Sequence, residues 1–201
     1  METNINQLLQ NPHFEGLCDI LKREDIDVRE FLLALEKTLA PLIEKHQGDN
    51  QVLKEEANNY ILPAISVYRT LQRFHHAPLP LFREMWLQGA EKGASYLREK
   101  AVDEGFLSAW IKNVTPKDCN AGAFIFEIAR FSETETEYHV KKCPYVELCR
   151  YYGCPEIVTV FCDSDDISFG SIHPRLIWSR KKTIGRGEEI CDFHYTLLSA
   201  E

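Results

Sequence analysis

No segment of the 201-residue chain strings together the roughly 20 apolar residues that a membrane-spanning helix needs, although 44% of it is hydrophobic. The first thirty residues carry Glu2, Asp19, Lys22, Arg23, Glu24, Asp25 and Asp27 without an apolar core segment, so a secretory leader is not expected and a cytoplasmic location is. Positive charge is also scarce, with 23 Lys and Arg against 31 acidic residues and a net charge of -8. That balance argues against a nucleic-acid or anionic-membrane partner held by bulk electrostatics. Internal repeats, low-complexity tracts and the short C-x-x-C pairs of a zinc ribbon are missing as well. Gly185-Arg186-Gly187 is too short for a phosphate loop and reads as turn chemistry.

What is present suffices for a full core without staples. Over residues 28–46 the apolar positions Val28, Phe31, Leu32, Leu35, Leu39, Leu42 and Ile43 fall on one helical face. A second stripe runs through Leu53, Ala57, Tyr60, Ile61, Ala64, Tyr68 and Leu71, where Pro63 should kink or split the helix. After a stop at residues 77–80, a third stripe joins Phe82, Met85, Trp86, Gly89, Gly93, Tyr96 and Leu97, its glycines allowing another element to approach closely. This half reads as scaffold, with its helices the expected surface for any homo-oligomer.

The pattern changes after Pro116. Residues 123–131 read as a strand that residues 137–142 can pair with, and prolines 144 and 155 open two short helices over 144–152 and 155–169. Residues 176–184 and 190–198 then form a hairpin around Gly185-Arg186-Gly187. The expected class is α+β: N-terminal helices (1–115) packed on a small antiparallel sheet carrying two short helices (116–201), in one globular unit.

Seven cysteines is an odd number, and in a reducing compartment free thiols are the default. Cys18, Cys119, Cys149 and Cys154 read as small buried hydrophobes. Three others stand beside charged groups. Cys143 precedes Pro144 at a helix start and follows Lys141 and Lys142, a setting that favours thiolate and marks a nucleophile. His139 could be its base, or simply a partly exposed strand histidine. Cys162, Asp165, Asp166 and Phe169 are spaced i, i+3, i+4 and i+7 on one helix, so thiol and carboxylate share a face unless the acidic run is only solvated. A neighbouring carboxylate keeps Cys162 protonated, suiting it to a ligand, hydrogen-bond donor or filler role. In the last strand Cys191, Phe193, Tyr195 and Leu197 share the apolar face, while Asp192 and His194 share the other, where the carboxylate could orient the imidazole. His173, before the hairpin, could reach toward the Cys162 helix. No cofactor is demanded by these residues. Zinc or another divalent metal stays open, with Cys143, Cys162 and Cys191 as the ligands, although their separations are long.

The order Lys142-Cys143-Pro144-Tyr145, Gly153, Pro155-Glu156, Phe161-Cys162-Asp163-Ser164-Asp165, Arg180, Thr183, Gly187 and Cys191-Asp192-Phe193 resembles the L-2-amino-thiazoline-4-carboxylic acid hydrolase family over about residues 120–198. The helical half matches only in general layout. The resemblance implies an enzyme that opens a cyclic isothiourea by adding water, on a route from the thiazoline to carbamoyl-cysteine and then L-cysteine. On that chemistry Cys143 is the nucleophile or the group that positions water, and Asp165 the acid/base and amidinium partner, with Asp166 as its substitute. Arg180 or Lys142 would take the substrate carboxylate. Cys162 and Cys191 complete the candidate catalytic set, and His139, His173 and Asp192 the candidate substrate-binding set. Cys149, Cys154 and His194 take no role from the resemblance. The glycine followed by Cys-x-Phe in the last strand is also similar to small-molecule sensor domains of the 4-vinyl-reductase type, which bind ligands, and sometimes metal, without catalysis.

Overall fold

Capping side chains and apolar periodicity place the helices of the first half. The computed structural model describes residues 5–102, 104–113 and 123–199. Two short helices, α1 (Ile5–Leu9) and α2 (Leu17–Arg23), precede α3 (Val28–Lys45), where the Asp27 carboxylate accepts from the Glu30 N–H at 2.7 Å. Helix α3 buries Phe31, Leu35, Leu39 and Leu42, the stripe expected of it. Asn50 caps α4 (Gln51–Glu56) in the same way, accepting from Leu53 N–H at 3.0 Å. A π-turn (Ala57–Ile61) then joins α4 to α5 (Leu62–Phe74). The break expected at Pro63 thus falls earlier, at Ala57, and Pro63 sits in the first turn of α5, where a missing N–H costs nothing. For the same reason Pro78 and Pro80, read as a stop, lie inside the opening turn of α6 (Pro78–Lys100). Helix α7 (Glu104–Asn113) follows. With α1 and α2 it was not anticipated, since five to ten residues carry too few turns for a clear period.

The second half is a four-stranded antiparallel sheet, β1 (Ile125–Phe131), β2 (Glu135–Lys142), β3 (Leu176–Ser179) and β4 (Cys191–Leu197), in the order β1-β2-β4-β3. Between β2 and β3 stand α8 (Pro144–Tyr151), a 3-10 turn (Pro155–Ile157) and α9 (Val158–Gly170). The class is therefore α+β, N-terminal helices followed by a small open sheet with short helical elements. The expected hairpin is corrected in extent. Strand β3 pairs with β4 only from Leu176↔Leu197 to Ser179↔His194. It stops there because the Asp192 carboxylate captures the N–H groups of Lys181 and Lys182, at 2.8 and 2.6 Å, and Arg180 turns inward. A second 3-10 turn (Ile184–Arg186) closes on Gly187, whose φ of 98° is left-handed and suits glycine.

Two cores result. One unites the N-terminal helices with α8 and α9 through Phe14, Phe31, Phe82, Trp86 and Phe161. Rings of Trp86 and Phe161 meet edge to face at 4.7 Å, and truncating such a core ring costs about 3–5 kcal/mol. The other lies on the inner face of the sheet, where Tyr138, Val140, Cys191, Phe193 and Tyr195 pack against Ala101, Leu107 and Ile111. The inner face of the sheet packs against α7, α9, Ala101 and Leu97 of α6, and α6 also runs along α9. Gly89 admits the close approach expected of it: a Cβ there would lie 2.4 Å from His13 Cα. Cys149 and Cys154 are buried, as expected, and Cys18 is only half-buried. Cys119 and the 115/116 boundary lie outside the described residues. Among the described residues no helix is long and apolar enough to cross a membrane.

Candidate functional site

A cavity of about 530 Å³ opens where the two cores meet. Cys143 and Ile184 pack against both cores, and Cys143 lies on the cavity wall. Helix α9 presents Val158, Phe161, Cys162, Asp165 and Phe169 to this space, the i, i+3, i+4 face read from the sequence. Strands β2 and β4 add Tyr138, Val140, Cys191 and Phe193, the inward parity of each strand. Helix α6 supplies Trp86 and Leu97, and the end of α4 supplies Glu56.

Asp165 is the centre of the polar wall. Its carboxylate accepts from Arg180 Nη1 at 2.8 Å, while Arg180 Nη2 donates to the Cys162 carbonyl at 2.6 Å and to Asp166 at 2.9 Å. The Arg180 side chain is 1% exposed and its guanidinium lies 5.2 Å from the Phe193 ring centre and 5.6 Å from that of Trp178. Burial opposes its charge, yet Asp165 and Asp166 hold its pKa above the ordinary value. Asp165 keeps about a third of its side-chain surface, on a wall of the cavity. Burial raises its pKa to about 6, with Arg180 opposing the rise and Asp166 and Glu56 adding to it.

A second carboxyl, Glu56, receives a 2.6 Å hydrogen bond from the Tyr145 hydroxyl. Burial raises its pKa, and the Tyr145 bond partly offsets the rise. This residue was missed, although a signal exists: Glu56 falls on the apolar stripe of Leu53, Ala57 and Tyr60 at helical spacing. A charge on a core-facing stripe needs a partner. The π-turn that starts at the next residue, a form frequent at functional sites, carries both Glu56 and Tyr60 to the cavity.

The three candidate cysteines all reach the cavity, but not as ionised groups. Burial pushes the Cys143 thiol up to about 12, despite the backbone N–H groups of Val146 and Tyr145. The expected depression fails because both lysines point elsewhere, Lys141 to Glu127 at 3.0 Å and Lys142 to Glu147 at 3.2 Å. Burial likewise pushes Cys162 to about 11 and raises Cys191, whose sulfur receives the Ile184 N–H at 3.3 Å. Among the described residues no group of three or more His, Cys, Asp or Glu side chains that could hold a metal ion is found.

Several expected binders lie away from the cavity lining. His139 has the outward parity of β2 and bonds Glu137 at 3.1 Å, so it does not serve Cys143. His194 pairs with Glu135 at 2.9 Å rather than with Asp192, which is spent on the loop amides. His173 accepts the Arg175 N–H within its own turn. Asp166 leans outward, 45% exposed, and bonds Trp178 Nε1 at 3.3 Å as well as Arg180. Asp163 bridges Arg83 and Arg186, tying α6 to the 3-10 loop.

Gly185 lies over Cys162. A Cβ there would stand 2.7 Å from both the Cys162 sulfur and Val158 Cγ1, so glycine is needed for the loop to close on α9.

No curated protein and no solved structure matches the chain. A family model described as L-2-amino-thiazoline-4-carboxylic acid hydrolase matches residues 55–195. That match begins one residue before Glu56 and spans Asp165, Arg180 and all three cavity cysteines, reaching well into the helical half. Over this span the chain belongs to the L-2-amino-thiazoline-4-carboxylic acid hydrolase family.

Proposed function

We propose that the chain is a hydrolase that opens a cyclic isothiourea or amidine, of the L-2-amino-thiazoline-4-carboxylate kind, by adding one water. The observation that carries this reading is Asp165, a carboxyl on the cavity wall bonded to the buried Arg180, whose pKa of about 6 lets it take and return a proton near neutrality. Membership of the family supplies the reaction class.

In the proposed sequence the ionised Asp165 takes a proton from water as the oxygen bonds to the amidine carbon, and hands that proton to the ring nitrogen, so that the carboxylate is restored. The carbon–sulfur bond then breaks. The hydroxyl of the tetrahedral adduct becomes the carbonyl, its proton passes to the leaving sulfur, and the product is a ureido thiol such as a carbamoyl-cysteine. The protonated Cys143 thiol is suited to positioning the water rather than to attack, because too little thiolate is present at pH 7. Arg180 fixes Asp165 in place, and Glu56 with Tyr145 faces the amino group of the substrate.

Incubation of the reduced protein with L-2-amino-thiazoline-4-carboxylate and with 2-amino-thiazoline, followed by mass spectrometry and a thiol reagent, tests this. Gain of one water with release of one thiol, lost in Asp165→Asn, is the expected result. Saturable binding of these compounds with no gain of water overturns the hydrolase reading in favour of a binding module.

A further inference from the structure

We propose that His13 is a substrate-contacting residue of this cavity, its Nε2 accepting a hydrogen bond from an N–H group of the bound molecule. The inference rests on the reading that the cavity takes the substrate, and it extends that site to a residue outside the matched span of 55–195.

The turn between α1 and α2 holds this one ring from several sides. Asn11 fixes its main chain: Oδ1 accepts the His13 N–H at 3.0 Å, and Nδ2 donates to the Asn59 carbonyl, in the π-turn, at 3.3 Å. Phe14, fully buried, anchors the next position, and Glu15 pairs with Lys92 of α6 at 2.7 Å. Gly89 leaves the room, since an added Cβ would stand 2.7 Å from His13 Nδ1 as well as against its main chain. The ring thus lies flat on Trp86, the centres 4.1 Å apart and the planes inclined by 13°, and it meets Tyr60 nearly at right angles at 6.5 Å. His13, Tyr60 and Trp86 all line the cavity.

Stacking alone would make His13 a filler that phenylalanine could replace. The two nitrogens give it more. Nδ1 stands 3.1 Å from the Trp86 carbonyl oxygen, and a carbonyl only accepts, so Nδ1 carries the proton. Burial lowers the pKa of this imidazole, the carbonyl bond opposing, so the ring is neutral at pH 7. A neutral ring protonated at Nδ1 has its lone pair on Nε2. With Nδ1 turned to the α6 backbone, Nε2 belongs to the ring edge left for the cavity. An acceptor held so firmly in place calls for a donor from the ligand.

The residues of the proposed chemistry are close by. Trp86, on which the imidazole rests, meets Phe161 of α9 at 4.7 Å, and its Nε1 donates to Ser164, the neighbour of Asp165, at 3.2 Å. His13 and Asp165 therefore flank one indole, and a molecule lying along it can reach both.

Nitrogen-15 spectra and titration calorimetry of the full chain, with L-2-amino-thiazoline-4-carboxylate and N-carbamoyl-L-cysteine as probes, test the contact. In the free protein His13 should show a protonated Nδ1 and a pyridine-type Nε2, and a bound probe should move the Nε2 resonance toward its hydrogen-bonded position. His13→Asn keeps a donor for the Trp86 carbonyl and deletes the acceptor, so it should weaken that probe about tenfold. His13→Gln, which returns an amide near the Nε2 position, should recover part of the loss. Circular dichroism checks that both variants fold, and if they do not, the Nε2 resonance of the parent protein decides alone. A proton on Nε2 in the free protein, a bound probe that leaves Nε2 unmoved, undiminished binding by folded His13→Asn, or binding of neither probe overturns the proposal. Gain of water is scored separately. Hydrolysis with Nε2 unmoved keeps the hydrolase and removes the contact, whereas a shifted Nε2 without hydrolysis does the reverse.

Discussion

The Tyr145 hydroxyl donates to Glu56 at 2.6 Å, joining the first turn of α8 to the last residue of α4. One hydrogen bond thus links the Cys143-Pro144-Tyr145 motif to a carboxyl some ninety positions earlier.

Tyr145→Phe leaves that carboxyl without its donor. The Glu56 pKa, already raised by burial and held back by this bond, should rise further. The loss of stability should be about 1–2 kcal/mol in urea denaturation, and the affinity for an amidine ligand should begin to fall at a higher pH than in the parent protein.

Asp165 sets the expected pH dependence. As a base it must be ionised, so kcat/KM should rise with pH through about 6 and then level. Asp165→Asn should remove that limb and lower kcat by about 100-fold or more. The sign for stability is opposite. Because the folded pKa of about 6 lies above the ordinary 3.8, this carboxyl favours the folded state at acid pH, and the contribution is lost as pH rises through about 6. Chemical denaturation at pH 4 and pH 7 should show a smaller pH-driven loss in Asp165→Asn than in the parent.

Arg180 is bonded to two aspartates and a carbonyl, so its removal is felt in the fold before the chemistry. Arg180→Met should cost about 3 kcal/mol, because Asp165 and the Cys162 carbonyl lose their donor inside the structure. Arg180→Lys keeps the charge but cannot span the same acceptors, and its cost should be smaller yet measurable by thermal melting.

Gly185→Ala drives a methyl into the Cys162 sulfur and Val158. A destabilisation of about 1–3 kcal/mol is expected from this overpacking. Adding Cys162→Ala removes one of the two clashes, so the double variant should be more stable than the sum of the single changes. A double-mutant cycle on denaturation midpoints reads this directly.

Cys143 should behave as a thiol. With its pKa at about 12 by burial, alkylation by iodoacetamide at pH 7 should be slow on the intact protein, and Cys143→Ser should keep activity within about tenfold. Rapid alkylation of Cys143, or complete loss of turnover in the serine variant, would return it to the role of nucleophile.

Periodicity made much of this legible. The spacing of Phe31, Leu35, Leu39 and Leu42 marks α3, and the alternation of Cys191, Phe193, Tyr195 and Leu197 marks the inner face of β4. Cys162, Asp165 and Phe169 likewise declare one face of α9. What stayed hidden depends on partners distant in sequence. Lys142 looks like a cation for Cys143 until Glu147 is seen to hold it, and Arg180 looks available until the two aspartates are placed. Desolvation is a property of packing, so the same Cys143 setting that suggests a thiolate on paper holds a neutral thiol in the fold. Glu56 was overlooked because the polar residues around it disguise a stripe position, and a π-turn leaves no simple period.

Cys143 and Ile184 touch both cores, and the space between those cores is the cavity itself. A bound ligand therefore becomes a shared piece of interior, stitched at once to α9, α6 and the sheet. Its binding adds to the stability of the folded chain an amount that grows as the logarithm of ligand concentration once that exceeds Kd. Amide exchange in β2, β4 and α6 should slow together when the cavity is filled, and separately when it is empty. The molecule that enters closes the gap between helices and sheet, and so helps to make them a single cooperative body.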